Sequence, residues 1–334
     1  MSYLNQPLKV KNVTFKNRLV MPPMATSKSD GAGMVTQELC EYYNEKSRGG
    51  HFGLIITEHS FISPEGKASA NQLSVSNPSC VNGLSELAAV IHKNGSAAIA
   101  QINHAGRQTT SEITGAEIVG VSAIPAPPLF IRLGKIPRVL STGEISAIVQ
   151  NFAKSARYVR EAGFDGVEIH SAHGYLLNQF YSPLANKRDD MYTGATIEGR
   201  CRIHLEVIRA VREAVGEDFI IALRLGASDY AEGGSTGSEG VLAAKLFEEA
   251  GVDILDITGG LCGFMPEGKT GQGYFAQLSR PIKEAVKIPV ILTGGVTDAA
   301  GAENLLGSSA ADLIGVGRAV LKDSGWARRA LNSL

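Results

Sequence analysis

The chain has 334 residues, 44% hydrophobic and 19% charged, and its 32 Lys and Arg against 33 Asp and Glu leave a net charge of −1. That composition suits a globular protein with ample core and offers no basic field to nucleic acid or an anionic membrane. No apolar run approaches the roughly 20 residues that span a bilayer, and the N-terminal MSYLNQPLKVKNVTF lacks the apolar centre of a signal peptide.

Residues 7–17, PLKVKNVTFKN, alternate weakly around a Lys11-Asn12 turn and predict a small hairpin. Eight short apolar runs follow: Leu19–Met24, Gly53–Thr57, Ala97–Ile102, Gly166–Ile169, Ile220–Leu225, Ile254–Ile257, Val290–Leu292 and Leu313–Val316. Such runs read as strands buried on both faces of a parallel sheet. Helical patterns lie between them, over 36–49, 83–94, 198–214, 239–250, 274–287, 298–306 and 318–330. Another opens with the capping box Ser141-Thr142-Gly143-Glu144 and sets Ile145, Ile148, Val149, Phe152, Ala156 and Val159 on one face.

Eight alternating units fit a closed (β/α)8 barrel or an open doubly wound sheet. Eight is the closing number, and glycine-rich phosphate signals come late in the chain, which favours the barrel. No Pro/Ser-rich linker divides the chain, so residues 1–334 are expected to form a single domain. The longest irregular stretch, 105–140, follows the third run and is expected to cover a site. Cys40, Cys80, Cys201 and Cys262 are scattered, with no CxxC or zinc spacing, as in a reducing cytoplasm.

Barrel chemistry sits where strands end. The first run ends in Pro22-Pro23-Met24-Ala25-Thr26, the second in Glu58-His59, and the third in Gln101, Asn103, His104 and Arg107. The fourth ends in His170, His173 and Tyr175, and the fifth contains Arg224. The seventh and eighth end in Gly294-Gly295 and in Gly315-Val316-Gly317-Arg318. Glycines between strand and helix let backbone N–H groups approach a phosphate, with Arg318 adding charge; glycines in left-handed turns are the plainer alternative. Arg224 is either a paired core arginine or a partner for a ligand with carbonyl or anionic character. Gln101 suits a planar heterocycle that carries both donors and acceptors.

His170 and His173 admit three readings. Metal ligation lacks a carboxylate at ligand spacing. Core imidazoles satisfied by hydrogen bonds are the plain case. The third is a donor pair for a carbonyl oxygen, with Tyr175 as proton donor. The position at a strand tip favours the third.

Together KNRLVMPPM (16–24), QINHAGRQ (101–108), GFDGVEIHSAHGYLLNQFYSP (163–183), ALRLGASDYAEGG (222–234), TGGV (293–296) and GVGRA (315–319) make the chain resemble the old yellow enzymes, FMN-dependent ene-reductases on a (β/α)8 barrel. HSAHGYLLNQF is most similar to the bacterial branch with thermophilic-type ene-reductases, 2-enoate reductases and NADH oxidases. The resemblance implies that Pro23, Met24 and Ala25 line the isoalloxazine, Gln101 bonds its pyrimidine edge and Arg224 faces its N1/O2 end. It implies that Gly294, Gly295, Gly317 and Arg318 hold the phosphate, and that His170 and His173 bind a substrate oxygen while Tyr175 protonates. The implied cycle is ping-pong: NADH or NADPH reduces FMN, and an α,β-unsaturated carbonyl or carboxylate compound is then reduced.

Implied partners are small molecules in the cytoplasm, with neither nucleic acid nor membrane; a homo-oligomer is left open. An NADH oxidase or quinone reductase is the alternative, and a non-catalytic flavin-binding sensor ranks below it because His170, His173 and Tyr175 are all present. Larger relatives carry clustered cysteines and further nucleotide-binding domains, so FMN without an iron–sulfur cluster or FAD is expected. His59 stands beside the flavin where relatives have a small residue, and either narrows the pocket or adds a titrating group. Ala25 stands where relatives usually have Thr or Cys bonding the flavin. Alanine cannot donate, which predicts a lower flavin potential than in relatives. Ala25→Thr should raise the measured potential, and an unchanged value would refute that expectation.

Overall fold

The computed structural model describes residues 2–127 and 135–334. The chain enters through an antiparallel hairpin, β1 (Leu8–Val10) and β2 (Val13–Phe15), as the alternation there predicts. It continues through β3 (Leu19–Met21), α1 (Gln37–Ser47), β4 (Leu54–Phe61), α2 (Val81–Lys93) and β5 (Ala97–Asn103). The long connection after β5 carries α3 (Ser111–Thr114) and a short parallel pair, β6 (Val119–Gly120) with β7 (Arg138–Val139). Residues 128–134 of that predicted site-covering loop lie outside the described residues.

Next come α4 (Thr142–Glu161), β8 (Gly166–Ser171), α5 (Leu176–Tyr181), α6 (Ile197–Val215), β9 (Ile220–Gly226), α7 (Gly237–Ala250) and β10 (Ile254–Thr258). The chain ends with α8 (Ala276–Ala285), β11 (Val290–Thr293), α9 (Ala299–Gly307), β12 (Leu313–Gly315), α10 (Arg318–Lys322) and α11 (Trp326–Asn332). Strands β3, β4, β5, β8, β9, β10, β11 and β12 form one closed parallel barrel, with Ile314 of β12 beside Leu19 of β3 at the closure. This is the (β/α)8 barrel that the eight runs predict.

Local chemistry explains the helix boundaries. The expected capping box of Ser141 with Glu144 forms on α4, and Thr236 with Glu239 makes another on α7. The α4 face of Ile145, Ile148, Val149, Phe152, Ala156 and Val159 is buried as its spacing requires. The predicted helix over 318–330 is instead two helices, because Asp323 accepts from the Gly325 N–H at 2.9 Å and turns the chain between α10 and α11.

Strand periodicity stacks the barrel interior in layers. Val10 and Phe15 of the hairpin pack with Val20, Leu54, Ile56, Ile99, Ile220, Ala222, Ile254, Ile291 and Leu313 as an apolar floor. Two residues further along each strand, the same inward face carries Gln101, Glu168, Arg224, Asp256 and Thr293. Two further still it carries Asn103, His170, Gly226 and Thr258. The floor therefore gives way to a polar middle and then to the mouth.

β4 runs past the predicted Gly53–Thr57 because it contains a bulge. Thr57 pairs with Ala100 but Ser60 pairs with Ile102, so Glu58 and His59 hold one residue more than β5 offers. No helix among the described residues is long and apolar enough to cross a membrane.

Candidate active site at the barrel mouth

The middle layer is a buried charge cluster. Arg224 Nε lies 3.2 Å from Asp256 Oδ2, with both side chains almost wholly inside the barrel, but off the angle a hydrogen bond needs. Asp256 Oδ1 accepts from Thr293 Oγ1 at 3.3 Å. Gln101 Nε2 donates to Glu168 Oε1 at 2.7 Å, and Glu168 Oε2 is buried with no partner. Burial pushes the Glu168 carboxyl above the usual carboxylate range and Asp256 adds to this, while Arg224 and Gln101 oppose it. Burial raises Asp256 as well, against the pull of Arg224.

Arg224 is thus a paired core arginine whose Nε still lacks a hydrogen bond. Gln101 keeps its Oε1 and a second N–H beyond the bond to Glu168. Glu168 and Asp256, which set this layer's charge, are absent from the sequence reading. Their signal was a carboxylate at an inward position inside an apolar run, the same signal that singled out Arg224.

Above the cluster, four polar rings follow one another around the rim. Ring-centre separations are 5.4 Å from His59 to Tyr175, 5.0 Å from Tyr175 to His170 and 5.2 Å from His170 to His173. The bulge in β4 presents His59, and the tip of β8 presents His170. His173 and Gly174 both have positive φ, 57° and 75°, which folds the chain back at once and returns His173 to His170. Asn178 and Gln179 of α5 hold that turn, Asn178 Oδ1 accepting from Gly174 N–H at 2.8 Å and Gln179 Nε2 donating to Gly174 O at 2.8 Å. His173 Nε2 is 3.0 Å from Thr258 Oγ1, and His170 Nδ1 is buried without a partner.

These rings are neutral near pH 7. Burial, then neighbouring His173, Arg224 and His59, holds His170 well below the ordinary imidazole range, and burial with Arg224 and His59 does the same to His173. Burial and Arg224 bring His59 down to about 4, and burial pushes the Tyr175 hydroxyl up to about 12. The rim therefore offers uncharged N–H and O–H donors. Among the described residues no cluster of three or more His, Cys, Asp or Glu could hold a metal.

The opposite rim is built from β3, β11 and β12. Pro23 and Met24 are half-buried and Ala25 is exposed, on a loop anchored where Thr26 N–H donates to Glu58 Oε2 at 2.6 Å. A Cβ on Gly317 would lie 3.3 Å from Met24 Sδ, so this loop and the end of β12 abut. Gly295 has φ 71°, and a Cβ there would lie 2.7 Å from Tyr274 Cδ1; one on Gly294 would lie 2.9 Å from Tyr274 Cε2. The glycine pair thus serves both the turn and the close approach of Tyr274, whose hydroxyl is 3.5 Å from Arg318 Nη2.

The helix after β11 contributes less than the glycine pattern suggests. α9 is capped by Asp298, whose carboxylate accepts from Gly301 N–H at 2.8 Å and occupies that N-terminus. Backbone at Gly294, Gly295 and Gly317 and the exposed Arg318 guanidinium lie together at this rim. Unsatisfied Arg224 and Gln101 groups in the barrel and glycine N–H groups at its rim fit the two ends of a flavin mononucleotide.

A barrel with such a mouth belongs to the class of cofactor-dependent barrel oxidoreductases, and comparison with known proteins makes the class specific. Residues 3–334 match the model of the NADH:flavin oxidoreductase / NADH oxidase family. The chain is 42% identical over 327 residues to an NADH oxidase of Thermoanaerobacter brockii, covering 96% of this chain and 50% of that protein. It is 38% identical over 316 residues to an NADPH dehydrogenase of Clostridium acetobutylicum, covering 94% of this chain and 90% of the relative. A metal reductase of Desulforamulus reducens is 36% identical over 339 residues, with 99% of this chain and 49% of that protein covered. The chain thus spans about half the length of two of these curated relatives.

Among solved structures, a 2-naphthoyl-CoA reductase in complex with 2-naphthoyl-CoA superposes with a TM-score of 0.93 at 28% identity, over 99% of this chain and 52% of that one. An old yellow enzyme homologue from Zymomonas mobilis gives a TM-score of 0.87 at 28% identity, over 99% and 92%. The chain belongs to the NADH:flavin oxidoreductase / NADH oxidase family, that of the old yellow enzymes, whose cofactor is FMN and whose reductant is NADH or NADPH.

Arg318 tests the phosphate end. A hydrogen bond to a charged group contributes about 1.5–3 kcal/mol, roughly 10- to 150-fold in affinity. Arg318→Ala should weaken FMN binding by at least about tenfold and leave riboflavin binding within about twofold, as read by flavin fluorescence titration of the apoprotein. Equal losses for both flavins would remove Arg318 from the phosphate site.

Proposed function

We propose that this protein is an ene-reductase that uses NADH or NADPH to reduce the activated C=C bond of α,β-unsaturated carbonyl or carboxylate compounds in a ping-pong cycle, the whole chain acting as one FMN-binding domain. The observation that carries the reading is the run of His173, His170 and Tyr175 on one rim, with separations of 5.2 and 5.0 Å. When bound, FMN supplies the redox chemistry, taking hydride from the nicotinamide and giving it to the substrate β-carbon.

The protein's share is to hold and polarise. Pro23, Met24 and Ala25 would line the flavin ring, Gln101 would meet its pyrimidine edge, and Arg224 would lie where reduced flavin gathers negative charge. Gly294, Gly295, Gly317 and Arg318 would take the phosphate. His170 and His173 donate to the substrate's carbonyl or carboxylate oxygen as its charge grows. Neutral donors fixed by packing need no reorganisation for this task. Tyr175, which keeps its proton at all physiological pH values, gives it to the α-carbon.

The FMN-loaded protein, reduced anaerobically with NADH or NADPH, should be reoxidised by 2-cyclohexenone. Losing donors to a developing oxyanion costs about 10²–10³ in rate. The His170→Ala, His173→Ala double variant should therefore lose at least about a hundredfold in enone turnover while keeping its flavin spectrum. Reoxidation by O₂ or a quinone but by no enone or enoate would favour the oxidase reading that the Thermoanaerobacter relative's name suggests.

A further inference from the structure

The rim holds one polar ring more than the proposed chemistry uses. His59 sits next to Tyr175, ring centres 5.4 Å apart, and 6.3 Å from His170. Its placement comes from the β4 bulge, since a regular strand would pair it in register with β5.

The surroundings fix which nitrogen carries its proton. Gln72 Oε1 accepts from Ala68 N–H at 2.6 Å, which orients the amide. Gln72 Nε2 then faces His59, donating to the His59 carbonyl oxygen at 3.1 Å and lying 2.6 Å from His59 Nδ1. An amide NH₂ has only hydrogens to offer, so Nδ1 is the acceptor and the proton of the neutral ring sits on Nε2. His59 Nε2 makes no hydrogen bond within the described residues and is not among the buried unpartnered atoms, so it opens onto the mouth.

We infer that His59 is a specificity-determining donor: its Nε2–H receives a second acceptor oxygen, on the far side of the double bond from the carbonyl held by His170 and His173. The inference rests on the ene-reductase reading. Tyr175 adjoins both His59 and His170, at 5.4 and 5.0 Å, and those two lie 6.3 Å apart, so the proton donor borders both acceptor positions. A substrate with a carbonyl on each carbon of its double bond, such as an ene-dione, ene-dioate or cyclic unsaturated imide, engages both ends at once. A simple enone engages one and covers the His59 N–H without giving it a partner, which costs that donor its hydrogen bond to water.

The test uses FMN-loaded protein and two non-reducible ligands that differ by one carbonyl, succinimide and 2-pyrrolidinone, with Kd read from calorimetry. Wild type should bind succinimide more tightly. His59→Phe, which keeps a ring and removes the donor, should weaken succinimide about five- to tenfold and change 2-pyrrolidinone less than about twofold. His59→Gln, which restores an N–H donor, should recover most of the loss. Equal changes for the two ligands, or none for either, would overturn the inference.

A measurement on the wild type needs no variant to fold. The ¹⁵N shifts of the His59 ring should show the proton on Nε2, and a proton on Nδ1 would equally overturn it. Both readouts concern binding and tautomer. Failure of enone turnover therefore sinks the ene-reductase reading and what rests on it, while equal binding of the two ligands sinks only the role of His59.

Discussion

Arg224 is the constraint around which the mouth is arranged. A guanidinium inside a barrel must be compensated, and here Asp256 lies 3.2 Å from it while Glu168 stands close by on the neighbouring strand. β9 carries the cation between β8 and β10, which carry the two carboxylates: Arg224 pairs in register with Asp256, and Glu168 lies one inward step back, opposite Ala222. The apolar floor beneath excludes water from one side. Gln101 and Thr293 satisfy one oxygen on each carboxylate. Glu168 Oε2 and Arg224 Nε remain unsatisfied, which suits a site finished by a ligand rather than a closed core.

The same cation reaches the rim. His59, His170 and His173 are all held neutral first by burial and then in part by Arg224. A positive charge at the base of the mouth thus keeps imidazoles in their uncharged donor form, which suits them to a carbonyl oxygen rather than to permanent anion capture. Backbone irregularity places these rings: a bulge for His59 and a left-handed residue for His173. Regular strands would have left them in register and apart. Such departures concentrate where chemistry is done and are sustained by the regular structure around them.

Much of this was legible beforehand. Eight apolar runs separated by capped amphipathic helices define the barrel, because the period and the caps are local. His170, His173 and Tyr175 stand out because polar rings are costly at the end of a buried strand. What escaped reading depends on contacts far apart in sequence. The Gln72–His59 bond needs the loop after β4 to fold back, and Asp298 capping α9 changes what the glycine pair can contribute. Asp229, just past β9, organises loops in the same way, accepting from Ser182, Ser235 and Leu261. Glu168 and Asp256 were visible in principle. Treating the runs as uniformly buried hid the alternation that lines the barrel with charge.

The central claim is that this charge layer exists to stabilise a cofactor that becomes negative on reduction. The midpoint potential of bound FMN in wild type, Arg224→Lys and Arg224→Met tests it most directly. An interaction with a charged group of about 1.5–3 kcal/mol corresponds to roughly 30–60 mV for a two-electron couple. The account predicts a fall of that size in Arg224→Met and a smaller one in Arg224→Lys, which keeps the charge. A potential unchanged in both variants, with FMN still bound, would contradict it.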